Sequence, residues 1–486
     1  MQFDATQLIP VLPEISLLIL ACLVLVVDLF IREERRIVSY VISQVGLLVT
    51  LAITLAVSHP EAQIVFDGSY IRDPMSDVLK IGILVVSFMV FLYAKDYLKE
   101  RGLFKGEFYT LGLFAVLGMC IMTSANSFLT IYLGLELLAL CLYALVAFNR
   151  DSPQGAEAAM KYFVLGALAS GMLLYGISMI YGATGTLRFD ELAQVVSAGD
   201  LNRMVMIFGI VFLVIGLAFK LGAVPFHMWA PDVYQGAPTA VTLFLSSVPK
   251  IAAFALAMRL LVDGLSGLHG GVNGPWQGWQ GMLIILAVLS MGIGNLVAIA
   301  QTNIKRMLAY STISHVGFIM LGILAGNQAG YTAAMFYTLV YALMSAGGFG
   351  IVIALSRKGF EAENLEDFKG LNQRNPWFAG MMLLLMFSMA GVPPTVGFFA
   401  KLFVLEAVVS VNLTWLALVG VAFSIIGAFY YIRIVKLMYF DPPVDESPLS
   451  VGIDTQVMLS INGLAMLILG LFPAGLFALC ANAIGG

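Results

Sequence analysis

Charge is scarce in this chain. Of 486 residues only 11% are Asp, Glu, Lys or Arg, whereas 60% are hydrophobic. A soluble fold of this length needs far more polar side chains to clothe its surface, so the composition excludes a soluble protein and defines a polytopic membrane protein. A net charge of −4 leaves no basic surface for nucleic acid. The four cysteines, Cys22, Cys120, Cys141 and Cys480, lie in apolar runs without C-x-x-C spacing. They are expected to be small core residues rather than disulfides or metal ligands. No Cys or His spacing suits zinc, iron–sulfur or haem. G-K-[ST] is absent, which excludes a P-loop nucleotide site, and Gly292 and Gly294 fall inside an apolar run, where they serve packing. The first apolar run has no basic leader, only Asp4 before it and Glu14 near its start, so it reads as a retained span.

Long apolar runs are plentiful. Fourteen spans are predicted, at 10–31, 36–58, 73–96, 107–124, 126–148, 154–182, 203–235, 238–262, 279–301, 303–326, 329–356, 376–410, 413–440 and 455–480. Most are long enough for a hydrocarbon core about 30 Å thick. Connections are short, which implies one membrane domain over 1–486: three amino-terminal spans (1–106), two five-span units (107–262 and 279–440) and a carboxy-terminal span (441–486). Loops after odd-numbered spans hold sixteen Lys or Arg. Those after even-numbered spans, with the termini, hold three: Arg72, Arg188 and Arg203. The positive-inside rule places the odd loops in the cytoplasm and both termini outside. Trp276 and Trp279 precede the ninth span, Trp377 and Trp415 open the twelfth and thirteenth, and all four are expected to be interface anchors. Runs such as 166–171 (GALASG) and 345–350 (SAGGFG) predict close helix packing. His59 and His269 fall in loops with no evident partner.

With the basic residues at the approximate span ends counted among the loops, six remain inside spans. Lys80 and Arg259 lie near span ends and are expected to snorkel. Lys161, Lys220, Lys250 and Lys401 need another reason, because a lysine at mid-bilayer costs roughly 2.5–3.5 kcal/mol on insertion scales. Lys220 and Lys250 bracket Pro225 and Pro231, which lack amide donors and interrupt a helix. Pro393 and Pro394 interrupt the span before Lys401. Such breaks survive in lipid only where protein or a water-filled cavity covers the freed backbone.

Spans 4–8 resemble spans 9–13. AAMKYFVLGALAS (158–170) aligns with AAMFYTLVYALMS (333–345), GAVP (222–225) with AGVP (390–393), and KIAAFALAMR (250–259) with SIIGAFYYIR (424–433). Five is an odd number, so the second unit must run inverted, a design in which broken helices meet at a midplane site. Phe336 then stands where Lys161 stands, and Ser424 where Lys250 stands.

At 1.5 Å per helical residue, Glu136 lies about 15 Å deep from outside, and Lys250 and His315 about 18 Å deep from inside. Lys220 is midway along its broken span. Glu136, Lys220, Lys250, His315 and Lys401 thus form a row along which protons could pass, with Glu136 and Lys220 as the natural ion pair. Bland readings stand beside this one. Lys161 is four residues after Glu157 and could form a helix-surface pair. His315 could be a packing histidine, His227 could cap carbonyls freed beside Pro225, and Glu406 reads as structural.

These segments carry a specific likeness. FKLGAVPFHMWAPDVYQGAP (219–238), TNIKRMLAYSTISHVG (302–317) and MAGVPPTVGFFAKL (389–402) resemble the antiporter-like membrane subunits of respiratory complex I, in the N-type branch whose signature closes on QGAP. The L and M types tend to read P-L-H-T-W-L-P-D there. The resemblance covers nearly the whole chain and implies an all-α fold of fourteen helices with helices 7 and 12 broken. It implies a proton channel in the membrane arm of NADH:quinone oxidoreductase. Glu136 and Lys220 would be the coupling pair, Lys250 the central relay and Lys401 the exit-side lysine, in place of an M-type glutamate. NADH, FMN, iron–sulfur clusters and quinone would be bound by other subunits, with none in this chain. Implied partners are K-type and M-type membrane neighbours and, through them, the peripheral arm. A length of 486 residues without a targeting segment points to a bacterial inner membrane. Alternatives are a cation/proton antiporter of the multiple-resistance-and-pH type, a membrane hydrogenase subunit, a purely structural arm subunit and an independent solute carrier.

Overall fold

The computed structural model describes residues 5–199, 201–270, 278–444, 449 and 451–485. The described chain is almost entirely helical. In order come α1 (Leu12–Phe30), α2 (Ile37–Val57), a short hairpin of β1 (Gln63–Val65) and β2 (Tyr70–Arg72), α3 (Pro74–Glu100), α4 (Gly106–Thr123), α5 (Phe128–Val146), α6 (Pro153–Thr184), α7 (Phe189–Ala198), α8 (Arg203–Leu221), α9 (Trp229–Gly236) and α10 (Thr239–Ala257). Then follow α11 (Trp279–Ile299), α12 (Ile304–Leu324), α13 (Gln328–Leu355), α14 (Leu371–Arg374), α15 (Pro376–Ala390), α16 (Val396–Ser410), α17 (Thr414–Phe440), α18 (Ile453–Leu471) and α19 (Pro473–Gly485). The hairpin pairs Gln63 with Arg72 and Val65 with Tyr70.

Local chemistry sets the boundaries. Asp73 and Ser76 form a reciprocal capping box at α3, and Ser127, Ser152, Asn303, Asn327 and Asn375 cap α5, α6, α12, α13 and α15. Each cap satisfies an amide that the helix itself leaves free.

Among the described residues, thirteen helices are long and apolar enough to cross a membrane. With the α15–α16 pair they account for the fourteen expected spans. The most hydrophobic stretch of Thr239–Gly264 is 100% buried, while that of the second span is only 28% buried. The helix bearing Lys250 is thus encased by protein, whereas α1 and α2 offer apolar faces to the outside. Small residues allow the close packing expected: a Cβ at Gly166 would collide with the Tyr143 hydroxyl, and one at Gly347 with Leu385.

Several expectations need correction. The last span is not continuous: Phe472 leaves helical geometry and Pro473 starts α19, as expected for a residue preceding proline. The loop predicted at 183–202 contains α7, which buries Phe189, Leu192 and Val196 along one stripe. Neither Lys80 nor Arg259 snorkels. Lys80 is fully buried, 2.7 Å from Glu14 and 2.9 Å from the Tyr70 hydroxyl. Arg259 is buried on Asp73 and Asp263, each at 2.8 Å, and on the Thr123 carbonyl. Burial pushes the Asp73 carboxyl up, but the guanidinium outweighs it and holds Asp73 below the usual carboxylate range. Both cations face the bundle interior, where a carboxylate replaces the solvent that snorkelling would have reached. Trp377 and Trp415 are exposed as anchors should be, but Trp279 is buried and donates to the Leu265 carbonyl; Trp276 lies outside the described residues. Cys120, Cys141 and Cys480 are buried, whereas Cys22 is exposed on α1. The loop histidines have partners: His59 accepts from the Glu61 amide, and His269 stands edge-on to Trp279 beside the Leu324 carbonyl.

Candidate functional site

Two interruptions organise the interior, and they are built alike. Helix α8 ends at Leu221, followed by Gly222 at φ 79°, and α15 ends at Ala390, followed by Gly391 at φ 85°. That left-handed backbone is open to glycine and strained for most other residues. Prolines then prevent the helix from resuming at once, Pro225 in the first break and Pro393 and Pro394 in the second. Pro231 does not sit in a break. It lies in the first turn of α9, where no amide donor is required.

Each break frees carbonyls at the negative end of a half-helix, and each recruits a lysine. Lys250 Nζ, from α10, donates to the Leu221 carbonyl at 3.0 Å. Lys401 Nζ, from α16, donates to the Ala390 carbonyl at 2.8 Å and to Ser424 Oγ at 2.9 Å. Both bind the last residue before the left-handed glycine, although one arrives from the following helix and the other from the second half of the broken helix itself. Both are largely buried, at 3% and 9% exposure. Each ammonium also lies near an aromatic ring, Lys250 5.7 Å from Trp229 and Lys401 5.2 Å from Phe318, a favourable contact for a desolvated cation.

Lys220 and Lys250 share a cavity of about 30 Å³ with Tyr162, Trp229 and Pro249. This volume holds roughly two waters. Glu136 does not close an ion pair with Lys220, contrary to expectation. Among the described residues no carboxylate lies within 4.0 Å of Lys220 Nζ, and Glu136 Oε1 is buried without a hydrogen-bond partner. Helices α5 and α8 both pack on α6, and Lys220 lines the cavity beside Lys250. The carboxylate nevertheless remains within electrostatic reach of the lysine.

His315 is buried between two tyrosines. Its Nδ1 lies 2.7 Å from the Tyr337 hydroxyl and its Nε2 3.1 Å from the Tyr431 hydroxyl, which in turn meets Ser311 at 2.5 Å. Hydroxyls both donate and accept, so either tautomer of the ring is satisfied. Hydroxyls also span the ground between this cluster and the Lys250 helix: Ser345 donates to Ser246 at 2.8 Å, and Tyr341 donates to Thr312 at 2.7 Å. None of these tyrosines or serines stood out in the sequence. The only signals were the spacing of Ser311 and His315, one turn apart on α12, and the Tyr430-Tyr431 pair.

The remaining candidates lie elsewhere. Lys161 is exposed and bound to Glu157 and Asp232, each at 2.8 Å, and Asp232 also binds Arg306 at 2.6 Å. The structure therefore places Lys161 in a surface ion network at the edge of a 180 Å³ cavity, not among the interior lysines. His227 is half-buried in the first break, its Nδ1 without a partner. Glu406 is exposed on α16. Lys305, in the first turn of α12, is buried and donates to the Ala237 carbonyl at 3.1 Å.

Broken helices with a buried lysine on each freed carbonyl, inside an all-helical membrane bundle, are the architecture of an antiporter-like membrane subunit. Residues 125–427 match the family described as NADH:quinone oxidoreductase/Mrp antiporter, TM. Across its full length the chain is 60% identical to NADH-quinone oxidoreductase subunit N of Thioalkalivibrio sulfidiphilus, covering 100% of each, and 57% identical to that of Thiobacillus denitrificans, covering 100% of this chain and 99% of the relative. The chain belongs to the NADH-quinone oxidoreductase subunit N family. Among solved structures, a chain of respiratory complex I from Thermus thermophilus with bound aureothin superposes with a TM-score of 0.81 at 30% identity, over 96% of this chain and 99% of that one. A chain of the Mrp complex from Dietzia shares the fold, with a TM-score of 0.84 over 99% of this chain and 97% of that one, at 21% identity.

Proposed function

We propose that this chain moves protons as an antiporter-like membrane-arm subunit of NADH:quinone oxidoreductase, through Glu136, Lys220, Lys250, His315 and Lys401. The observation that carries this reading is the placement of Lys250 and Lys401 on the freed carbonyls of the two half-helices. An ammonium held by a carbonyl and an aromatic ring, with no carboxylate on it, can lose its proton without leaving a buried anion behind. The 30 Å³ cavity connects Lys220 to Lys250, and the hydroxyls from Ser246 to Thr312 lead toward His315. The units 107–262 and 279–440 act as inverted repeats, each contributing one break. Electrons travel elsewhere: NADH, FMN, iron–sulfur clusters and quinone belong to other subunits, reached through K-type and M-type neighbours. His227 and Lys161 flank the path rather than form it.

The test is proton uptake driven by NADH in inside-out vesicles, with assembly checked by immunoblot. Lys220→Arg is expected to assemble and to lower uptake severalfold, because arginine keeps the charge but does not release its proton in a protein. Glu136→Gln should do the same by removing the field that biases Lys220, and Glu136→Asp should be milder. Near-normal uptake by an assembled Lys220→Arg complex would overturn the deprotonation mechanism.

The orientation proposed is bacterial inner membrane with both termini periplasmic. In a Cys22→Ser background, Ala62→Cys should react with an impermeant maleimide in intact cells, and Lys358→Cys only after lysis. Both positions are exposed in the structure. The reverse pattern would invert the topology.

A further inference from the structure

The path needs an entrance, and one partly buried carboxylate cluster lies where an entrance would be. Glu361 sits in the connection after α13, on the side that the positive-inside rule assigns to the cytoplasm. Its carboxylate accepts from the Tyr97 hydroxyl at 3.1 Å, from Arg101 Nε at 3.0 Å and from the Thr239 hydroxyl. Tyr97 in turn accepts from the Thr239 amide at 2.9 Å. The charged and titratable groups facing Glu361 are therefore Arg101 and Tyr97 from α3, Lys305 from α12, whose ammonium feels both Glu361 and Arg101, and Glu363 on its own connection. Asn303 holds Glu363 aside at 3.3 Å.

Thr239 opens α10, the helix that carries Lys250 three turns later. Thr239, Thr242, Ser246 and Lys250 follow at spacings of three, four and four, which places them on one face of the helix. All three hydroxyl residues are fully buried, and the helix is surrounded by protein, so this polar stripe cannot be a lipid-facing or solvated surface. Its members are tied to polar groups of other elements: Thr242 to the Tyr234 carbonyl at 2.9 Å and Ser246 to Ser345 at 2.8 Å. Nearby, the Tyr234 hydroxyl is buried without a hydrogen-bond partner. A buried polar atom left unpaired is costly unless water reaches it.

We propose that Glu361 is the cytoplasmic proton acceptor from which protons enter the Thr239–Thr242–Ser246 face of α10 and reach Lys250. The proposal rests on the relay reading above and adds its entrance. A proton from cytoplasmic water binds the Glu361 carboxylate, displacing its contact with Arg101. The carboxylic acid passes it to the Thr239 hydroxyl, which releases its own proton onward. Neighbouring side chains at these spacings are about 5–6 Å apart at Cβ, a gap that one water would span. The proton ends on the neutral amine of Lys250, which becomes an ammonium on the Leu221 carbonyl, and Glu361 returns to the carboxylate on Arg101.

The test uses the whole complex in inside-out vesicles, measuring NADH:quinone turnover and proton uptake from about pH 6 to about pH 8.5. Glu361→Gln keeps the size of the side chain and can still accept from Tyr97 and Thr239, so assembly should survive. Its deficit relative to the parent should deepen at least about threefold toward the alkaline end, where bulk water supplies protons most slowly and a collecting carboxylate matters most. Glu361→Asp should recover most of the loss, and Ser246→Ala should reproduce the pH-dependent deficit without touching the connection. A pH-independent loss that Glu361→Asp does not recover would assign Glu361 to anchoring the start of α10 and overturn the proposal. So would parental turnover by an assembled Glu361→Gln complex. Lys250→Arg, assayed in parallel, separates the two readings: a defective Lys250→Arg beside a normal Glu361→Gln removes only the entrance, whereas two normal variants remove the relay itself.

Discussion

Replacing Lys250 with arginine should produce an assembled complex whose NADH-driven proton uptake falls at least about tenfold. Lys250 Nζ is the sole ammonium found on the freed carbonyl of Leu221 among the described residues, and it borders the cavity that Lys220 also lines. Arginine preserves a positive charge at that carbonyl and at the end of the half-helix, where a cation is favoured. It cannot be deprotonated in a protein. If Lys250 worked as a fixed charge holding the broken helix together, arginine would retain most of the activity and methionine would lose it. If Lys250 must release its proton, both substitutions fail. Methionine should carry a further defect in stability, because the Leu221 carbonyl is left buried and unpaired at a cost of about 1–3 kcal/mol. Uptake, quinone reduction and subunit content measured on the same vesicles decide between these cases. Arginine activity above half of the parental level would mean that charge, not proton exchange, is the requirement.

How much of this was legible beforehand depends on the kind of residue. Lysines in apolar runs betray themselves, because their cost in lipid is high and the alternatives few. Lys220, Lys250 and Lys401 were therefore identified from the chain alone, as were the breaks at Pro225 and Pro393-Pro394. What each lysine touches was not legible. The expected Glu136–Lys220 pair fails, because helical depth fixes height in the membrane but not which neighbour stands between two helices. Lys80 and Arg259 were misplaced for a related reason. A position near a span end permits snorkelling, but whether a side chain points outward or toward a carboxylate depends on helix rotation. The partners Glu14 and Asp73 lie 66 and 186 residues away in sequence. Hydroxyl residues were the least legible. Ser246, Thr312, Tyr337 and Tyr431 are tolerated in any packed membrane helix, so their assembly into a connected interior emerges only from the tertiary arrangement. Glu361 was overlooked because carboxylates in short connections are ordinarily solvated.

Four of the interior cations fall into two kinds. Lys80 and Arg259 are matched with carboxylates, and Lys250 and Lys401 with carbonyls and rings. The first arrangement fixes the charge; the second leaves it free to change. Lys80 and Glu14 should accordingly behave as a structural pair, with a large effect on assembly and none specific to proton transfer. Both are buried, at 0% and 5% exposure, and they join α1 to α3 at 2.7 Å. Removing one partner leaves the other buried and uncompensated, which costs about 3–5 kcal/mol in buried pairs. Lys80→Met and Glu14→Leu should each reduce the amount of assembled subunit severalfold, as judged by immunoblot after blue-native electrophoresis. Combining them removes both charges, and the Tyr70 hydroxyl keeps its own hydrogen bond to the Pro10 carbonyl at 3.1 Å. The double variant should therefore assemble better than either single one, and each assembled complex should pump at a parental ratio of protons to NADH. Single variants that assemble normally, or a double variant worse than both, would show that the pair does not hold α1 to α3. A double variant that assembles fully but loses proton uptake would instead move Lys80 from the structural group to the conducting one.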